Sequence, residues 1–507
     1  TPRVAVFMVS MLLLFVIPSL WTIDRQKRIG LDAWADTVDA GEPVESPDIE
    51  VLGQFGGPVG AVALAPPYAY VGVGPRVLVL DISDMERPRV VGRSAIWRHE
   101  VRDIAIQGTR VYVAVGGDGL RVLDRVDPEH LVEVAVVPSP TQDFESGGAV
   151  AVVVDGARLF LLEAKVQGGE WGRLRAFNAS EPPVLQELGA TLLTEGWFCQ
   201  LALASDRLFL GGSSLAFIDV SDPALRLDPV TVTSGQFVKG FAVMESGFLL
   251  TVGRPGLIVY DINDLQVREV ARFLESTELQ GIAIADNRGL VTARGFGESA
   301  DRLLMLSLTD PAHPVEVGRC AVSGRAYQIA ASGAVVAVVG YDTGLHLVDL
   351  ADSVGPRQVG WFRTIADARA VDSAGDLAVV AAGNEGIWTV DVSQPDDPRP
   401  IAALGGLEET QGVRLKGTVA VVVAGMAGLQ LIDVGDPKHP VEISRVATEG
   451  EARALWVEGR TAYVADGDAG LTIIDIGIPS KPRRLATLDT PGSAWDVAVA
   501  GSRAYVA

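Results

Sequence analysis

The 507-residue chain is 48% hydrophobic and 21% charged, with 56 glycines and 28 prolines, a globular composition dense in turn formers that favours many short strands over long helices. Its formal net charge is −22, from 42 basic against 64 acidic residues, which is the wrong sign for neutralising nucleic-acid phosphates. The two cysteines, Cys199 and Cys320, stand outside any CxxC pair; they exclude a disulfide framework, argue against a thiolate zinc site, and read as small buried apolar residues.

In chain order, the first signal is an uncharged run of 18 residues, Val4 to Trp21. As a helix it would span roughly 27 Å, against roughly 30 Å of bilayer hydrocarbon. A cleavable signal needs a small-residue site just after such a run. Here Thr22-Ile23-Asp24-Arg25-Gln26-Lys27-Arg28 follows, and the nearest A-x-A, Ala33-Trp34-Ala35, lies well downstream. Residues 1–28 are therefore expected to hold a transmembrane helix that anchors the chain through residues 4–21, with an uncleaved signal as the alternative. Arg25, Lys27 and Arg28 after the span would keep the bulk of the chain cytoplasmic by the positive-inside rule. The upstream side shows only Arg3 in a chain that begins at Thr1, so orientation stays open. Residues 29–47 are acidic and lack apolar periodicity, as in a flexible or extended spacer.

From residue 48 onward the sequence repeats. The clearest unit, Ala454 to Ser493, contains four short apolar or alternating runs separated by Gly, Asp and Pro clusters, the pattern of a four-stranded antiparallel meander. The Asp that ends the third strand recurs at 81, 124, 219, 261, 349, 391, 433 and 475, with Asn178 and Ser307 in two degenerate copies. The steps 219→261, 307→349, 349→391, 391→433 and 433→475 are each 42 residues. Such a meander cannot bury both faces alone, and radial stacking lets each copy cover the next. The fold class is thus all-β, a β-propeller of about 42-residue four-stranded blades; a solenoid of meanders is the rival.

The segments GLTIIDIGIPSKP, GLQLIDVGDPKHP, GIWTVDVSQPDDP and LAFIDVSDP resemble the LVIVD repeat of bacterial and archaeal surface-associated proteins. The resemblance runs over about 460 residues and implies a β-propeller at the cell surface, hence an extracytoplasmic location, but no reaction or ligand. Ten complete copies and the start of an eleventh, Trp495 to Ala507, can be counted. Single propellers typically stop near eight blades, so two tandem rings are expected. The division is placed near Gly324–Tyr327, with blades 1–6 over 48–325 and blades 7–11 over 326–507. The last copy stops within its second strand, which suggests C-terminal truncation.

Chemistry-bearing residues are sparse. His130, His313 and His439 occupy one repeat position, between the third and fourth strands of different copies, and so cannot converge on one metal. His346 lies on a third strand. No HExxH, GxSxG, GxxxxGK[ST] or helix-opening GxGxxG occurs, so hydrolase, P-loop and dinucleotide readings lack their carrying residues. No cofactor is indicated. Asp466 and Asp468 put two carboxylates beside flexible backbone carbonyls, hard-oxygen chemistry that suits calcium, but a third acidic ligand is missing.

Insertions are more informative. Extra residues in the third and sixth copies fall in second-to-third-strand turns and in fourth-to-first-strand connections, which emerge on the same side of a meander; inserted loops on one face of a repeat protein often mark its binding side. That face would carry Trp97, His99, Lys165, Trp171, Arg294, Phe296, Tyr341 and Asn384; an exposed Trp in a Gly-rich loop would serve as an aromatic anchor, the alternative being a loop tryptophan folded onto its own blade. Trp388, Trp456 and Trp495 read as core. The leading expectation is a non-catalytic, membrane-anchored propeller that binds a protein or polysaccharide partner at the cell envelope. The alternatives are a metal-dependent hydrolase or lactonase-like enzyme, with Asp103, Asp372 and Asp496 converging at the centre, and a structural envelope scaffold.

Overall fold

The computed structural model describes residues 57–507, apart from 140–147, 165–171, 181–183, 194–197, 222–228, 234–236, 255, 265, 275–276, 295–300, 323–325, 341–342, 352–354, 366, 395–397 and 501–502. The apolar run at 4–21 and the spacer at 29–47 lie outside the described residues. Among the described residues, every regular element is a β-strand, and no helix is long and apolar enough to cross a membrane.

The strands form ten four-stranded antiparallel sheets and a two-stranded eleventh, each strand paired with its neighbours in sequence. Sheet 10 is typical, with strands Ala454–Glu458, Thr461–Ala465, Leu471–Asp475 and Arg483–Leu488. These are the meanders that the repeat predicts, and they are consistent with β-propeller blades.

Burial grades across each sheet. In sheet 7 the second strand, Val335–Gly340, and the third, Gly344–Asp349, are buried along almost their whole length. Both faces of such a strand are covered by neighbouring sheets, so its sequence is a near-continuous apolar run rather than an alternating one. Fourth strands are less buried: Arg89–Arg93 is mostly half-buried and every residue of Arg483–Leu488 is exposed.

The repeated Asp has a local cause. The Asp81 carboxylate accepts the backbone N–H of Ser83 at 2.9 Å and its hydroxyl at 2.6 Å. Asp219, Asp391 and Asp433 take the N–H two residues on in the same way, each at 2.9 Å. This is an Asx-turn, which stops the third strand and starts the reversal. The hydrogen bonds from Ser83 hold the Asp81 carboxyl below the usual carboxylate range. Asn178, in a degenerate copy, keeps the function, accepting the Ser180 N–H at 3.0 Å.

First strands determine how the sheets associate. Those of sheets 1 to 7 are Val59–Ala65, Asp103–Gln107, Gly148–Asp155, Phe198–Ala204, Phe237–Met244, Leu279–Ala285 and Ala326–Ser332. Each packs on the next, and the seventh packs back on the first. The closing seam is apolar: Val59, Val71 and Leu80 of sheet 1 share a buried cluster with Ala337, Val339, Leu345 and Leu347 of sheet 7. The expected division near Gly324–Tyr327 falls inside this circuit, because Ala326–Ser332 packs on Leu279–Ala285 as well as on Val59–Ala65. Beyond it, the first strand of sheet 8, Ala370–Ala374, packs on Gly412–Lys416 of sheet 9; that strand packs on sheet 10, and sheet 10 on sheet 11.

A candidate binding face

Second-to-third-strand turns and fourth-to-first-strand connections meet on one side, as the insertions suggest. The carbonyls of Gly116, Gly383, Gly425 and Gly467 accept the backbone N–H of Ala149, Thr410, Ala452 and Ala494 at 2.8–2.9 Å. In each pair, a turn of one sheet is pinned to the start of the next, at the first strand itself for Ala149 and on the connection entering it for the other three. Thr410 adds its hydroxyl, donating to the carbonyls of Gly383 at 3.0 Å and Gly386 at 2.7 Å. These turns need glycine for two reasons. Gly470 has φ 80°, in the left-handed region that side chains disfavour, and a Cβ there would sit 2.3 Å from the Leu488 carbonyl oxygen.

The proposed anchors behave differently. Trp97 is only 8% exposed; its indole N–H donates to Glu133 at 2.9 Å, and its ring packs with Val101 and Val113. His99 is likewise held in place. Asp118 Oδ2 accepts the backbone N–H of Arg98 and His99 at 2.7 and 2.9 Å and lies 3.2 Å from His99 Nδ1. Both residues therefore brace the connection into sheet 2. Arg294 and Asn384 are exposed, whereas Lys165, Trp171, Phe296 and Tyr341 lie outside the described residues.

Two groups on this side were not singled out from the sequence. Arg363, just after the fourth strand of sheet 7, places its guanidinium 4.7 Å from the Trp361 ring centre and 5.5 Å from that of Trp388, within cation–π range. Glu385, beside Asn384, accepts the Trp388 indole N–H at 3.3 Å and stands 3.7 Å from Arg363. At the entry to sheet 6, Glu278 accepts Lys239 Nζ at 2.5 Å and also pairs with Arg254. Burial alone would raise the Glu278 carboxyl, but these two cations hold it at about 2. No repeat position predicts either cluster, because each joins residues of different copies. Trp495 overturns its core assignment: it is 64% exposed, on the connection into the two-stranded sheet 11, with the Arg453 guanidinium 3.6 Å from its ring centre. Trp388, at 7% exposure, is core as expected.

The metal and enzyme candidates are tied up structurally. Asp466 is fully buried; its Oδ2 accepts the Thr472 hydroxyl at 2.9 Å and the backbone N–H of Glu449 and Gly450 at 3.2 Å each. Asp468 is exposed, and among the described residues no three His, Cys, Asp or Glu side chains are grouped to hold a metal. Asp103 Oδ2 accepts the Val152 N–H at 2.9 Å, and Asp372 Oδ2 accepts that of Leu415 at 2.7 Å. Each thus links the first strands of adjacent sheets, one within the seven-sheet circuit and one beyond it, so they do not converge. Burial pushes the Asp103 carboxyl up to about 6. His130, His313 and His439 each place Nδ1 2.8 Å from the Asp three residues earlier, a turn contact repeated in three sheets. Burial pushes the thiols of Cys199 and Cys320 up to about 11, which disfavours the nucleophilic thiolate.

The model of the LVIVD repeat matches residues 56–95, 99–137, 409–448, 449–490 and 491–507. No curated protein matches the chain. Among solved structures, it is similar to PorZ, described as a surface component of the type-IX secretion system of Porphyromonas gingivalis, at 12% identity and a TM-score of 0.57. That match covers 89% of this chain and 62% of PorZ. A chain from a mitotic checkpoint complex structure matches at 13% identity and a TM-score of 0.46, over 58% of this chain and 90% of that one.

Proposed function

Because the chain carries LVIVD repeats on stacked four-stranded sheets, we propose that it is a membrane-anchored β-propeller protein that binds a protein or polysaccharide partner at the cell envelope through its loop-rich side, without catalysis. In this reading, sheets 1 to 7 are the blades of one closed ring, and sheets 8 to 11 belong to a second, so that the rings divide after Phe362 rather than near Gly324. The uncharged run Val4–Trp21 supports the anchor, and the surface setting named for PorZ agrees with an extracytoplasmic location.

The observation that carries the reading is the pinning of turns to connections, as in Gly383 with Thr410. It brings second-to-third-strand turns and fourth-to-first-strand connections to one side, and in this reading a partner meets Arg294 and Asn384 there. The test is capture from native envelopes by the full chain and by a variant lacking residues 164–172. The captured component is identified as protein or glycan by protease and glycosidase treatment. Loss of one component with the deletion is the expected result. Equal capture by both proteins, or capture of nothing by either, would count against the loop-rich side.

A further inference from the structure

A cleft lies where sheet 1 meets the chain leaving sheet 7 and the fourth strand of sheet 8. Its volume is about 90 Å³, and its lining includes Arg76, Arg93, Arg363, Thr364, Pro398 and Pro400. Three guanidinium-bearing residues thus border one small space in a protein whose net charge is −22.

Two lining residues each hold one buried polar atom that makes no hydrogen bond. Arg76 is 7% exposed, and its Nε makes no hydrogen bond. Thr364 is 5% exposed, and its hydroxyl makes none either. Unmet buried donors are costly, and a buried uncompensated charge more so. The surroundings add repulsion rather than relief. Burial first, and then the neighbouring Arg93 charge, pull the Arg76 guanidinium down to about 10. Arg363, also on the lining, stands 3.7 Å from Glu385.

Five positions before the strand-ending residue, six copies read Gly119, Gly256, Gly344, Gly386, Gly428 and Gly470, whereas the first, third, fourth and sixth read Arg76, Arg173, Ser214 and Arg302. The tight turn that needs glycine in those six is rebuilt in sheet 1, with Gly74 at φ 52°, and a cationic side chain occupies the space. Nothing in the packing of sheet 1 requires a guanidinium there, since apolar neighbours such as Val73 and Leu78 line the same wall.

We propose that this cleft binds a small oxyanion, held by Arg76, Arg93 and Arg363 and by the Thr364 hydroxyl. Water would satisfy the hydrogen bonds but leave the charge unanswered; an anion does both, through charge-assisted bonds. A space of about 90 Å³ admits a phosphate, sulfate or carboxylate group. An occupant would bridge sheet 1 and sheet 8. The inference is independent of the loop-rich-side reading.

The test is calorimetric titration of the full chain with phosphate, sulfate and acetate, separately, at ionic strength held constant with chloride. Millimolar anion keeps general salt effects on stability small. At least one anion should bind saturably at one site, with affinity falling tenfold or more in Arg76→Met and several-fold in Thr364→Val; a preference for phosphate and sulfate or for acetate tells a tetrahedral group from a carboxylate. Arg363→Gln, at a side chain 41% exposed, should also weaken binding and decides the matter should the buried substitutions unfold the protein. The absence of saturable binding by all three anions would overturn the proposal. So would equal affinity in the wild type and every folded variant.

Discussion

Sheets 1 to 7 and sheets 8 to 11 are built from the same repeat yet associate differently. In the first group the innermost strands run full circle, with Ala326–Ser332 against Val59–Ala65. In the second they form an open series from Ala370–Ala374 to Val497–Ala500. Regularity does not separate the groups. Copies 7 to 10 share the 42-residue step, yet copy 7 closes the circuit with copy 1, while copies 8 to 10 stack on one another. Closure depends on whether the apolar faces of two sheets distant in sequence fit, and the seam of Val71, Leu80, Val339 and Leu347 supplies that fit. Repeat period governs the sheet, and face-to-face packing governs the assembly.

The sharpest way to break this comparison is to damage one group at a time. Leu347, fully buried at the seam, should lose about 2–5 kcal/mol on truncation to Ala. Leu431, equally buried between sheets 9 and 10, should lose a similar amount. In scanning calorimetry Leu347→Ala is expected to lower one transition and Leu431→Ala another; a single transition lowered equally by both would show one cooperative unit.

A smaller effect belongs to the circuit alone. The Asp103 carboxyl, raised to about 6 by burial, binds a proton more tightly in the folded than in the unfolded protein. Its protonated form therefore favours folding, and this contribution is fully present below about pH 4 and lost as pH rises through about 6. The amplitude should be about 2 kcal/mol, allowing for the partly accessible side chain. Asp103→Asn should flatten the pH slope of the circuit's transition between pH 4 and 6, and an unchanged slope would place the titration elsewhere.

The smallest expected effect lies in the open series. Asp433 is exposed and accepts the Gly435 N–H at 2.9 Å. Asp433→Ala should cost about 1 kcal/mol, the net worth of one hydrogen bond. Urea denaturation should detect this as a lower midpoint in the transition that Leu431→Ala also moves.

Much of this was legible in the sequence because it is local. The four-strand meander follows from alternating apolar runs and Gly-rich turns, and the marker Asp follows from the Asx-turn it makes, which Asn178 retains. Trp97, His99 and Trp495 were misread because flanking residues do not determine exposure. Trp97 is covered by Val101 and Val113, and Trp495 stands beside a sheet of two strands. The Arg363–Trp361–Trp388 stack and the Lys239–Arg254–Glu278 cluster were invisible because each joins separate copies.

By itself, the sequence determined the all-β class, the length of the unit and the number of copies. Each of these rests on hydrogen bonds and turns between residues close in the chain. Tertiary structure alone decided which sheets close a circuit, which tryptophans are covered, and that Arg76 meets Arg93, Arg363 and Thr364 in one cleft. These outcomes depend on contacts between faces hundreds of residues apart, as between Val59 and Leu347, and no local periodicity encodes them.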